Sequence, residues 1–274
     1  DDAQSWISIV PNTRAMEKST ITLRIEPNDG AYRSAEVTVR PVGGELSISY
    51  WVGQRPNEDS SVEQLERKAL IAIYNALDGD NWVNNSNWCS DRPLNEWYGV
   101  ETDGWYVIGL DIKGRVTANS PKRIFPEEAQ NLRYLKYLHL ENTSVDSFAD
   151  GLSLSNLEEL WCHRNVFLHL TELAPIYNLG NLKEFRVFGC DNDLYSISDT
   201  ALTPTPIPDE LLDNKALHTL CLDRCNLSGV IPNKLWELTN LELLSIDNTH
   251  SYDMLSGTFP MCLLCIMQTF YVYI

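Results

Sequence analysis

Leu135-Lys-Tyr-Leu138-His-Leu140-Glu-Asn-Thr143 and Leu157-Glu-Glu-Leu160-Trp-Cys162-His-Arg-Asn165 decide how this chain folds. Both read L-x-x-L-x-L-x-x-(N/C/T). The frame returns at Leu182-Phe185-Val187-Cys190, Leu217-Leu220-Leu222-Cys225 and Leu241-Leu244-Ile246-Thr249. Val107-Leu110-Ile112 is a degenerate first copy, and Thr269-Val272-Ile274 a truncated last one. Twelve residues before the second anchor stand Pro126, Pro208, Pro232 and Pro260, with Phe148 and Leu173 in two other copies. Agreement at so many fixed offsets marks an internal repeat of about 20–29 residues. One longer step, between Phe185 and Leu220, marks an insertion at 191–206.

Each such repeat supplies one short strand, and no repeat can bury its apolar side alone. Stacking in parallel solves that problem. The pattern predicts a right-handed α/β solenoid of about seven repeats with its strands on the concave side. Side chains alternate along a strand, so anchors at positions 1, 4 and 6 point inward and positions 3, 5 and 7 outward. Position 9 is expected to bond the backbone of a neighbouring coil, where an unpaired amide would be costly. Cys190 and Cys225 then read as framework residues, Cys162 as core, and Cys221 as exposed at position 5.

Upstream, Leu65, Ala69, Leu70, Ile73 and Leu77 fall on one face of a predicted helix over 61–77. Ser60 with Glu63 suits a capping box, and Asp78-Gly79 stops the helix. A loop rich in Asn and Trp follows, carrying Trp82, Trp88, Trp97 and Trp105. Before a polar linker at 55–60, residues 1–54 read as strands at 6–9, 21–25, 35–39 and 46–50. Pro27-Asn28-Asp29-Gly30 and Gly43-Gly44 supply turn chemistry between them. Four short strands make a thin, incomplete β-sandwich. The domain reading is therefore 1–54 sandwich, 55–60 linker, 61–105 helical cap and 106–274 repeats.

With 21 Lys+Arg against 38 Asp+Glu the net charge is −17, which argues against nucleic acid and anionic lipid as partners. No apolar run reaches the roughly 20 residues of a membrane span. The opening DDAQSW has no Met and reads as a trimmed start, while the apolar ending at Ile274 reads as a chain that continues. There Leu263, Ile266, Val272 and Ile274 lack a polar capping coil. The expectation is self-association, or cover by further residues. Among seven cysteines only Cys262 and Cys265 have CxxC spacing, which makes neither a zinc nor a redox motif.

Two resemblances add to this. Ala69-Leu70, Ile73-Tyr-Asn-Ala-Leu-Asp-Gly-Asp-Asn-Trp82, Asn84-Asn-Ser-Asn-Trp88 and Glu96-Trp-Tyr-Gly-Val100 resemble the N-terminal cap of bacterial leucine-rich repeat proteins with a plant-like consensus. The plant version closes its cap with two cysteines; Cys89 matches the first, but Thr102 stands near the second, a departure from the pattern. Trp6-Ile-Ser-Ile9, Asn28, Arg33-Ser-Ala35 and Tyr50-Trp-Val-Gly-Gln54 resemble part of a BACON domain, an immunoglobulin-like module of Bacteroidetes surface proteins. The resemblance implies an extracellular or cell-surface protein, lipid-anchored or periplasmic among the options.

The outward strand positions are the natural binding surface. Tyr137, His139, Trp161, His163, Arg186 and Phe188 cluster at its centre. Trp, Tyr and Arg are the residues from which interface hot spots are made, so a ligand site is favoured over a merely solvated face. The ligand is expected to be a protein, with a glycan or mucin as the alternative and a structural spacer as the third reading. His139, Glu141 and His163 fall short of a metal site for want of a fourth ligand. Asp78, Asp80 and Asn81 fail the calcium-loop spacing. No nucleophile-elbow, zincin or phosphate-loop motif is present. The chain is read as non-catalytic, without cofactor or metal.

Overall fold

The computed structural model describes residues 7–10, 22–26, 33–39, 47–54, 59–115, 120–165, 170–177, 179–188, 205–225, 227–246, 255–257 and 271–273. The chain divides into two units, 1–64 and 65–274. In the first, β1 (Ile7–Val10) pairs antiparallel with β2 (Thr22–Ile25), and β3 (Arg33–Val39) with β4 (Ile48–Gln54). Ile7 and Ala35 are buried, with Leu23, Val37 and Val52 packed around them. Arg33 clips the two ribbons together: it donates to Gln54 Oε1 at 2.9 and 2.6 Å and to the Glu26 carbonyl at 2.7 Å. The last strand runs through Trp51-Val52-Gly53-Gln54, beyond its expected end at Tyr50, because all seven β3 residues find partners there.

Helix α1 spans Asp59–Ala76. It starts earlier than expected, so Ser60 lies in the first turn and not at the N-cap. From Leu65 onward it belongs to the second unit, where Ala69, Leu70 and Ile73 are fully buried. Buried Glu66 accepts the Val107 N–H at 3.1 Å, tying the helix to the start of the repeats. Asp78 ends the helix in the left-handed region (φ 60°). The Trp82 indole then donates to the Leu77 carbonyl, one of the acceptors that a helix end leaves unsatisfied. Trp82 meets Trp88 edge-on at 4.8 Å, and Trp88 meets Trp97 at 5.2 Å. All three are buried, so they pack the unit's interior and offer no platform to solvent.

Then follow β5 (Val100–Thr102), β6 (Val107–Lys113), β7 (Arg123–Phe125), β8 (Tyr137–Glu141), β9 (Val145–Phe148), β10 (Glu159–His163), α2 (Ala174–Tyr177), β11 (Glu184–Phe188), β12 (Thr219–Asp223), β13 (Gly229–Val230), β14 (Leu243–Ser245), β15 (Leu255–Ser256) and β16 (Tyr271–Tyr273). One sheet has the order β16-β14-β12-β11-β10-β8-β6-β5, parallel throughout except for β5 against β6. Its register is the sequence frame: Leu110, Leu138, Leu160, Phe185, Leu220, Leu244 and Val272 lie side by side. Ile112, Leu140, Cys162, Val187 and Leu222 form the second inward row, all buried. Each such side chain contributes about 1.5–3 kcal/mol by leaving water. Between the strands of this sheet in sequence come two further short parallel pairs, β7–β9 and β13–β15, and 3₁₀ turns after Pro126 and Pro232.

Position 9 does bond across coils. Asn165 is fully buried; its Nδ2 donates to the Leu140 carbonyl at 2.9 Å, and its Oδ1 accepts the Thr143 N–H at 2.9 Å and hydroxyl at 3.0 Å. The Cys225 thiol reaches the Val187 carbonyl at 3.6 Å. A second tie was not read from the sequence: Asn156, Asn181 and Asn240 donate to the carbonyls of Arg133, Ser155 and Lys215 one coil back. The Asn directly before the first-anchor leucines Leu157, Leu182 and Leu241 was its signal. Cys190, Thr249 and the proposed C-terminal association surface at 261–270 lie outside the described residues. So do the insertion as far as Pro204 and the side chains of 271–274.

Candidate functional site

Strands β8, β10 and β11 share a burial pattern in which every second residue is buried and the three between are partly exposed. The period-2 alternation therefore puts all six expected residues on one face. Strand register then aligns His139, Trp161 and Arg186 in one row across the sheet, and Glu141, His163 and Phe188 in the next.

The centre of that row is a three-layer stack. The His139 ring lies on the Trp161 indole at 4.1 Å, with 9° between the planes. The Arg186 guanidinium stands 5.2 Å from the indole centroid. Because β8 and β11 flank β10 on opposite sides, these two groups cover opposite faces of the indole. Trp161 is thus held as a clamped plate showing its edge. His163 lies nearly parallel to it at 5.8 Å and meets Phe188 edge-on at 6.2 Å. The buried Trp161 Nε1 and His139 Nε2 have no hydrogen-bond partner; the nearest carboxylate oxygen to His139, on Glu159, is 3.6 Å away. Burial pushes the His163 pKa down. Glu141 opposes this, while His139, Arg186 and Arg164 reinforce it. Near pH 7 His163 is therefore a neutral ring. Asp111, Lys113, His139, Glu141, Trp161 and His163 line a depression of 130 Å³. That is room for a side chain, short of the roughly 300–1,000 Å³ of small-molecule sites.

Tyr137 behaves differently. Its ring lies flat over Gly109, where an added Cβ would come within 1.8 Å of it. This lets the hydroxyl cross β6 to bond Glu101 on β5. Burial first, and then the Glu101 bond, push the phenol well above its ordinary value.

One expectation is overturned. Cys221, read as exposed at position 5, is buried, and burial pushes its thiol up to about 11. Its short side chain sits in register between Arg186 and Ser245. Cys89 is a free, exposed cysteine. Asp78 is paired with Arg123 at 2.7 Å and Asp80 accepts the Tyr74 hydroxyl at 2.6 Å, so both have structural tasks. Among the described residues no three His, Cys, Asp or Glu side chains gather as a metal cage.

Sequence reading missed Arg164 and Arg224, which follow β10 and β12 in left-handed backbone (φ 54° and 56°). Arg164 reaches Glu141 at 3.8 Å, and Arg224 stands 6.0 Å over Phe188. Their signal was an Arg at position 8, where Asn142 adopts the same left-handed turn (φ 57°).

Residues 1–55 match the BACON family model. Its description is "Putative binding domain, N-terminal". Over 220 residues the chain is 27% identical to Receptor-like protein 6 of Arabidopsis thaliana, which covers 66% of this chain. The chain spans only 20% of that relative's length. A solved structure, the LRR ectodomain of the receptor kinase SOBIR1 from Arabidopsis thaliana, aligns with 77% of this chain and 96% of its own. Its sequence identity is 19% and its TM-score 0.34. Among the described residues no helix is long and apolar enough to cross a membrane.

Proposed function

We propose that residues 61–274 form a leucine-rich repeat solenoid with a helical cap, and that its strand face binds a protein ligand outside the cell or at its surface, without catalysis. The observation that carries this is the clamped Trp161. A half-buried indole already fixed by His139 and Arg186 loses little conformational freedom on binding, the property that makes an interface anchor effective.

The same geometry favours protein over glycan at this face. Stacking on a sugar needs an open aromatic face, and both faces of Trp161 are taken. A glycan reading is favoured elsewhere, in the N-terminal unit, where Trp51 is 74% and Tyr50 58% exposed. The BACON match supports a binding role for that unit. The extracellular address rests on the same match and on the likeness to a receptor-like protein.

The test probes a panel of purified extracellular proteins and a glycan array with the wild-type chain, Trp161→Ala and Trp51→Ala. A protein bound by the wild type and weakened about 30-fold or more by Trp161→Ala is the expected result. Glycan binding lost with Trp51→Ala supports the second reading. Silence on both surfaces points to a spacer.

A further inference from the structure

The binding face is electrically lopsided, and its two margins carry different information. Along the margin at position 3, Glu101, Gly109, Tyr137, Glu159, Glu184 and Thr219 are consecutive in register. Glu159 and Glu184 stand directly opposite each other on neighbouring strands, about 4.8 Å apart. Like charges so placed repel and destabilise the sheet. Among the described residues one fixed cation answers them: Arg186 Nε lies 3.0 Å from Glu184 but is also engaged in clamping Trp161. Among the described residues Glu159 has His139 at 3.6 Å as its one ion-pair partner, and Glu101 accepts a neutral phenol. The exposed carboxylate of Asp111, next to His139 in its row, has no partner among the described residues.

The opposite margin is balanced. Glu141 lies between Lys113 at 3.6 Å and Arg164 at 3.8 Å, and Arg224 covers Phe188. Asp223 accepts the Ser245 hydroxyl at 2.7 Å. A neutral or acidic partner edge would leave the Glu159–Glu184 repulsion in place and take these carboxylates out of water without a further cation. A basic edge relieves the repulsion and is drawn in by a chain of net charge −17.

We infer that the ligand of this face is a protein segment with apolar side chains over Trp161, His163 and Phe188 and a Lys/Arg-bearing edge over Glu159 and Glu184. This rests on the binding face proposed above and adds the chemistry and orientation of what sits there. The balanced far margin gives no such preference, so the segment docks one way round.

The experiment selects a display library of random 16-residue peptides on the intact chain and counter-selects on Trp161→Ala. Surviving peptides are expected to combine apolar residues with Lys or Arg. The isosteric double variant Glu159→Gln/Glu184→Gln should weaken them about tenfold at low salt, while Lys215→Gln, whose partner is Glu237 away from the strand face, leaves affinity within about twofold. Peptides that need Trp161 but lack basic residues, or ignore the double Gln variant, overturn the basic-edge assignment and leave the binding face standing. Failure to recover any Trp161-dependent peptide overturns both.

Discussion

Replacing Asn165 by Ala should cost the repeat unit about 4 kcal/mol. Asn165 has no exposed surface and satisfies two backbone groups of the preceding coil, the Leu140 carbonyl and the Thr143 N–H, as well as the Thr143 hydroxyl. The hydroxyl can turn to another acceptor, but the backbone groups cannot move without breaking the β8–β10 pairing. Two stranded buried groups at roughly 1–3 kcal/mol each give about 2–6 kcal/mol. With a urea m-value of about 3 kcal/mol/M, the midpoint should fall by about 1.3 M. Asn165→Asp adds a sharper test. At neutral pH a carboxylate oxygen faces the Leu140 carbonyl in a dry site, and its pKa in the folded state should be raised by burial. The protonated acid can donate where the amide did, so this variant should regain stability as pH falls from 7 to 4, relative to Asn165→Ala. A midpoint loss below about 0.3 M for the Ala variant, or a pH-independent difference between the two variants, would refute the cross-coil argument. Because Asn165 directly follows His163 and Arg164, its loss should also loosen the binding face, seen as faster amide exchange at 161–164.

Arg164→Asn should raise the melting temperature by about 1–2 °C: Asn tolerates the left-handed backbone that costs Arg about 1 kcal/mol, and the exposed pair with Glu141 offsets only part of that. Gly109→Ala should destabilise by about 1–3 kcal/mol and displace Tyr137, so that ultraviolet titration finds one more tyrosine ionising near pH 10; an unchanged titration would show that the ring does not need the glycine. Tyr74 has its pKa raised to about 12 by burial and then by its bond to Asp80. A phenol raised in the folded state leaves stability intact below pH 10 and lowers it as pH climbs from 10 through 12. Urea midpoints should show that loss, and Tyr74→Phe should blunt it.

The sequence by itself determined the register. A strand frame recurring at Leu110, Leu138, Leu160, Phe185, Leu220, Leu244 and Val272 leaves one way to align inward anchors, since a slip by one residue would turn every leucine outward. The same alternation put Tyr137, His139, Trp161, His163, Arg186 and Phe188 on a common face, and position 9 singled out Asn165 as a cross-coil tie. Period and polarity are local properties, so a linear reading reaches them. What only the tertiary structure decided depends on side-chain length and direction across strands that are distant in sequence. Cys221 is an outward position that is nonetheless buried, a short side chain in register between Arg186 and Ser245 on the neighbouring strands. Tyr137 lies beside His139 at 6.0 Å and also reaches across β6 to Glu101, because position 109 has no side chain to stop it. Trp161, which alternation presents as an open aromatic surface, is closed on both faces, because parallel strands about 4.8 Å apart hold His139 and Arg186 at stacking distance from it.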